Sequence, residues 1–339
     1  MRQAYSAQGG PPMRYGHDMT GHPLLAHETW FVDPPHPGTD WSFATEPLTL
    51  TLLAVALVLT VVVRLVARWW PGIDIPFLAR LTPFMPFAVR IHLAVSLLGL
   101  LSLGSYLAPS MDLGKDVVGV LLGAVMFVVA IGMAAGWHTR AAAWLLIAAG
   151  PIGMLEFGFW PVVHRIDVLG LAVCVLIWGA GPWSADHELG RTRVPSLRDD
   201  ARAIWVLRLA VGLALIIVAF AEKLVNPQLA RDFLAEYPHF NVFQELGFGM
   251  GNDTFIAIAG AIEVLFGLLI ISGALPQVGV VIVGVPFNAT LWFFGAPELL
   301  GHLPIYGAML VLLVYGSHPQ LRPATRDLWP WGRDRIPAG

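Results

Sequence analysis

Apolar residues fill the chain in long unbroken runs, separated by short polar stretches. The runs cover approximately 47–69, 87–107, 117–136, 141–159, 166–181, 203–222, 253–273, 277–295 and 303–316. About 20 apolar residues in an α-helix rise far enough to cross roughly 30 Å of hydrocarbon. The two shortest runs, 166–181 and 303–316, need flanking residues to span. The pattern predicts an all-α polytopic membrane protein with about nine transmembrane helices. Composition points the same way: 56% of the 339 residues are hydrophobic and 13% are charged, against roughly 25% charged in soluble domains. Mean hydropathy is +0.68. These values exclude a nucleic-acid binder, a disordered or collagen-like chain, and a disulfide scaffold. The single cysteine, Cys174, lies inside an apolar run and can form no internal bridge.

Charge placement predicts orientation. Arg64, Arg68, Arg80, Arg90, Arg140, Arg191, Arg193, Arg198, Arg202, Arg208, Arg322, Arg326, Arg333 and Arg335 fall on one face of the predicted spans. Arg2, Arg14, Lys115, Arg165, Lys223 and Arg231 fall on the other. The positive-inside rule makes the richer face cytoplasmic, with the N-terminus extracytoplasmic and the C-terminus cytoplasmic. Residues 1–26 hold no apolar h-region, so the first span is expected to act as the insertion signal. Tryptophans at 69, 70, 160, 183, 329 and 331 fall near span ends, where an amphipathic ring favours the headgroup zone. The expected location is the cell (inner) membrane, with the lipid bilayer as the first partner.

The chain also resembles itself. Arg90 opens a run that ends at Pro109, and Arg208 opens one that ends at Pro227. Gly123, Ala124 and Gly136 match Gly260, Ala261 and Gly273, and Gly170, Gly179 and Pro182 match Gly307, Gly316 and Pro319. The offset is 118 residues for the first helix of each set and 137 for the others. The organisation read from this is an extracytoplasmic segment (1–46), a leading helix and connector (47–86), and a first four-helix repeat (87–182). A cytoplasmic linker (183–202), a second repeat (203–319) and a cytoplasmic tail (320–339) follow. Four helices are an even number, so both repeats enter from the same face and are parallel, related by an axis along the membrane normal.

The second repeat carries a family likeness. The string Arg208-Leu209-Ala210-Val211-Gly212, running to Ala221-Glu222-Lys223-Leu224-Val225-Asn226-Pro227, resembles the first helix of the DoxX family. Ala261-Ile262-Glu263-Val264-Leu265-Phe266-Gly267, running to Gly273, resembles its second. The likeness covers 208–319, extends to 90–182 only through the duplication, and does not reach 1–86. It implies a four-helix DoxX-like unit used twice. The family includes a subunit of a thiosulfate:quinone oxidoreductase, and other members are linked to redox complexes. The resemblance therefore implies a membrane partner in redox chemistry, working with other membrane or extracytoplasmic redox proteins, more than it implies a reaction. Fusion in duplicate, the extra helix and the long N-terminal segment depart from the family pattern.

Ionisable residues inside spans are the candidates for chemistry, because each costs on the order of 2.5–3.5 kcal/mol to insert and normally faces a partner or cavity. Glu263 lies about 12 Å below Phe255, and Glu222 about 21 Å above Arg208, by the helical rise of about 1.5 Å per residue. Both fall at one depth in the outer half, with Lys223 close enough to reach either. The first repeat has Gly104, Ser105 and Met126 at the corresponding positions, so the charges are not required to form the unit. Glu222, Lys223, Asn226, Glu263 and His302 are the candidates for ligand binding or proton handling, as in holding a quinone ring. A structural Lys–Glu pair with Lys223 snorkelling outward is the plainer reading. Glu156, His164, Arg165 and Asp167 form a secondary outer cluster, which a hairpin salt bridge also explains. His302 matches Arg165 in register, and with Glu298 and Tyr306 it suggests an outer pocket shared between the repeats.

The N-terminal segment gathers Met13, His17, Met19, His22, His27 and His36. Imidazole and thioether suit copper, and His17, His22 and His27 are the candidate ligands, although their five-residue spacing does not align on one helix face. Solvated histidines in a Gly/Pro-rich tail explain the same pattern. No facing histidine pair suited to a b-type haem stands out, and no Walker, CxxC or GxSxG motif occurs. Three functions fit: a redox-associated subunit with a quinone or polar-ligand pocket, a non-enzymatic scaffold of a larger complex, and a transporter. The catalytic residues and the reaction are not specified by the sequence.

Overall fold

The computed structural model describes residues 39–70, 72, 73, 75–294 and 296–321. His17, His22 and His27, and the tail beyond 321, lie outside the described residues, as does the side chain of Glu298. Ten helices of ten or more residues organise the chain. They are α1 (Pro47–Trp69), α2 (Met85–Ser102), α3 (Val117–Ala135), α4 (Thr139–Phe157), α5 (Ile166–Trp178), α6 (Leu197–Val218), α7 (Pro227–Glu236), α8 (Asn252–Ser272), α9 (Pro276–Phe294) and α10 (Ala296–Gly316). Seven stretches are long and apolar enough to cross a membrane; they lie in α1, α2, α3, α4, α6, α8 and α10. Two shorter apolar stretches, Ile166–Trp178 and Pro276–Val285, accompany them. The protein is thus a polytopic helical membrane protein, with seven full-length spans among the described residues where the sequence suggested about nine.

Local chemistry sets several boundaries that hydrophobicity alone misplaces. Helix α6 begins six residues before its apolar run, because Ser196 and Asp199 form a reciprocal capping box. Residues 197–202 are therefore helix rather than linker. Helix α10 reaches back to Ala296, which gives the short run at 303–316 a full span. Helices α3 and α8 end at Gly136 and Gly273, both left-handed, with φ of 64° and 68°. Only glycine adopts that conformation without a Cβ penalty.

Helix α2 packs on α3 and α5, and α6 packs on α8 and α10. Equally broad contacts run across these sets, α6 against α5 and α2 against α10. Helix α1 lies outside, against α8, through a buried stripe of small residues, Thr49, Ala56, Thr60 and Ala67. Small side chains let two apolar helices approach closely where no hydrophobic force drives them together. Leu57, Val58 and Val61 on its other face are exposed.

Two buried arginines knit the bundle at one end. Arg90 (0% exposed) donates from Nε to the Ala180 carbonyl at 2.8 Å, from Nη2 to Trp183 at 3.0 Å, and from Nη1 to Met133 and Ala134. Arg208 (1% exposed) donates to Ile270 at 3.1 Å and to Ile271. The last carbonyls of a helix have no intrahelical donor, and a buried guanidinium satisfies them while the helix dipole favours its charge. Met133 and Ala134 precede Ile270 and Ile271 by the same 137 residues that separate the sequence matches. Trp178 and Tyr315, also 137 apart, stack on one another at 5.7 Å in the middle of the molecule.

Candidate functional site

Helix α6 does not end as an ordinary α-helix. Residues Ala219–Leu224 widen into a π turn, with the Val225 N–H reaching back five residues to the Phe220 carbonyl at 2.9 Å. Such single-turn bulges insert one extra residue into a helix and re-aim the side chains beyond it. Here they carry Glu222 and Lys223. Lys223 Nζ lies 3.2 Å from Glu263 Oε1 on α8, so the two helices meet through an ion pair at this depth. Glu222 is 1% exposed.

Both residues line a chamber of about 380 Å³. Helix α6 contributes Ala214, Leu215 and Val218 below Glu222. Helix α8 contributes Phe255, Ile258, Ala259, Ile262, Glu263 and Phe266, and α9 contributes Val283 and Phe287. Gly301, His302 and Ile305 come from α10. His164 and Arg165 come from the α4–α5 connection, Asp167 from the first turn of α5, and Val242 and Phe243 from the loop before α8. The walls are mostly aliphatic and aromatic, and the polar groups gather toward one end.

Arg165 is the best-defined of these groups. Its Nε and Nη2 donate to the two oxygens of Asp167, each at 3.2 Å, and Nη2 also donates to the Gly301 carbonyl at 3.0 Å. Its side chain is 5% exposed and that of Asp167 2%. The Nη1 of Arg165 is buried and has no hydrogen-bond partner among the described residues. A guanidinium carries five N–H donors and strongly favours having each of them met. His302, 4% exposed, is held edge-on against the Phe287 ring at 4.8 Å.

Helix α10 is shaped for this contact. Pro304 lies inside it and supplies no N–H to the Leu300 carbonyl, which instead accepts from Ser96 Oγ at 2.9 Å. One residue on, the Gly301 carbonyl receives Arg165.

Of the residues singled out from the sequence, Glu222, Lys223, Glu263, His302, His164, Arg165 and Asp167 converge on this one chamber. Two do not. Asn226 precedes α7 and is half-buried outside the chamber wall, and Glu156 is exposed near the end of α4, while Arg165 pairs with Asp167. The sequence reading missed the π turn, the Gly301 carbonyl and the Val242–Phe243 roof. Pro304 was the available signal for the first free carbonyl of α10. Among the described residues, no group of three or more His, Cys, Asp or Glu side chains is arranged to hold a metal ion.

Met126, 137 residues before Glu263, is fully buried, as is Tyr106. The Tyr106 ring stacks on Phe157 at 5.5 Å and abuts Gly153, where a Cβ would fall 2.5 Å from its edge. Comparison of the chain with models of protein families, with curated proteins and with solved structures yields no match.

Proposed function

We propose that this protein is a DoxX-like membrane subunit, built from two parallel four-helix repeats, that holds the polar head of a lipid-soluble quinone in the chamber of its second half. The observation that carries the reading is Arg165, a buried guanidinium in the wall of a largely apolar cavity, whose Nη1 has no acceptor among the described residues. A quinone ring offers two carbonyl acceptors on an otherwise apolar body, which suits one strong donor among aromatic walls. The equal 137-residue spacing of the carbonyls capped by Arg90 and Arg208 supports the duplication.

When bound, a quinone supplies the two-electron couple of its ring. The chain's own residues bind, orient and exchange protons. Arg165 orients one carbonyl and is itself fixed by Asp167 and Gly301. The wall gathers the basic side chains of Arg165 and Lys223, the carboxyl groups of Asp167, Glu222 and Glu263, and the imidazoles of His164 and His302. The arginine distribution supports placing the chamber in the outer half of the membrane, within reach of extracytoplasmic redox partners.

The test is saturable binding of ubiquinone and menaquinone analogues to the protein in nanodiscs. Binding that is abolished by Arg165→Met supports the reading. Absence of saturable binding by either class, with the wild-type fold intact, overturns it.

A further inference from the structure

The two halves differ in how their second and third helices meet. In the first half, α3 and α4 close on each other: a Cβ built on Gly132 would lie 3.2 Å from that of Ala142. The residue 137 positions after Ala142 is Gly279, and nothing lies within 4 Å of where its Cβ would be. Helix α9 keeps close company with α10 and touches α8 over a much shorter stretch than α4 touches α3. The chamber residues beside this gap are apolar: Ile262 and Phe266 on α8, Val283 and Phe287 on α9. Ile262 lines the chamber and is also 43% exposed on the outside of the bundle.

The roof is a tied loop. Val242 and Phe243 cover the chamber, and Phe243 packs against Phe248 and Phe255, each at 6.2 Å. The neck of that loop is tied by Asn241, 0% exposed, whose amide donates to the Met250 carbonyl at 3.0 Å and to Asn252 at 2.9 Å.

We infer that the ligand reaches the chamber sideways from the bilayer, between α8 and α9, and that its hydrocarbon tail stays in that cleft. The occupant is then an amphiphile dissolved in the membrane, not a water-borne metabolite. This rests on the chamber being a headgroup site, as proposed above. The polar groups of α5, α6 and α10, with Glu263 of α8, face one end of the ligand, and Ile262, Phe266, Val283 and Phe287, all chamber-lining residues, receive the other.

The experiment uses the whole protein in nanodiscs and two probes with one dimethoxy-methyl-benzoquinone head, one without a tail and one with a decyl chain ending in a diazirine. Illumination followed by peptide mapping is expected to label α8 near Ile262 and α9 near Val283, in competition with unlabelled tailed quinone. Ile262→Trp is expected to weaken the tailed probe about tenfold more than the tail-less one, the worth of roughly two buried methylenes. Labelling confined to 242–250 overturns the lateral route while leaving the headgroup site standing. An Ile262→Trp effect equal on both probes also overturns it. Failure of both probes to bind wild-type protein removes the headgroup site, and this inference with it.

Discussion

Arg165 illustrates how much one side chain can organise. It joins the α4–α5 connection to α10 through Gly301, pairs with the buried Asp167, and lines the chamber. Lysine keeps the charge but cannot reproduce a bidentate fork. Arg165→Lys is expected to fold and to weaken quinone-analogue binding about tenfold, a loss of roughly 1.4 kcal/mol, whereas Arg165→Met abolishes it. Isothermal titration in nanodiscs checks both. At the other end of the bundle, Asp186 accepts from the Thr139 and His138 N–H groups at 2.9 and 3.0 Å. Burial pushes its carboxyl up, but these hydrogen bonds together outweigh burial and hold it below the usual value of 3.8. A carboxyl lowered on folding stabilises the fold above its unfolded value and stops doing so as pH falls through the folded one. Asp186→Asn should therefore lower stability at neutral pH and flatten its loss below about pH 4, read by thermal melts across an acid series. The ionisable residues at chamber depth stood out in the sequence because charge inside a span is expensive. That Asp167 rather than Glu156 partners Arg165 did not, since it depends on how the eight-residue connection between α4 and α5 turns.

At the level of elements, helix existence was legible and helix ends were not. Apolar runs located every long helix, but the start of α6 depended on the Ser196–Asp199 box and the start of α10 on residues outside its run. The π turn of Ala219–Leu224 left no hydrophobic signature at all, because widening one turn changes register, not composition. Pro304 gives a sharper test of element chemistry. Ser96 Oγ meets the Leu300 carbonyl that Pro304 leaves without its helical donor. Ser96→Ala alone should cost about 1 kcal/mol, the price of a buried carbonyl left unmet. In a Pro304→Ala background the restored N–H takes over, and the same substitution should cost close to nothing. A double-mutant cycle of melting temperatures measures the coupling.

Across the whole molecule, the contacts between the halves, α6 on α5 and α2 on α10, are as broad as those within them, with Trp178 and Tyr315 stacked between them. Neither half buries its own faces alone. Chains 1–192 and 193–339 expressed separately should fail to give monodisperse protein in detergent, whereas co-expression should yield a stoichiometric complex on size exclusion. The internal matches at fixed spacing were visible in the sequence, since glycines and arginines at equivalent turns must do equivalent work. The exchange of partners between halves was not visible, because spacing says nothing about which faces meet.

The chamber has a thermodynamic consequence. An apolar-lined chamber of about 380 Å³ leaves its wall atoms without packing partners on one side when it is empty. In the first half Tyr106 is packed into the interior. A guest bound in the chamber would supply the second half with the contacts it lacks when empty. Gentle extraction and native mass spectrometry should find the protein carrying a lipid, a detergent chain or its own physiological guest, and stripping that guest away should soften the fold.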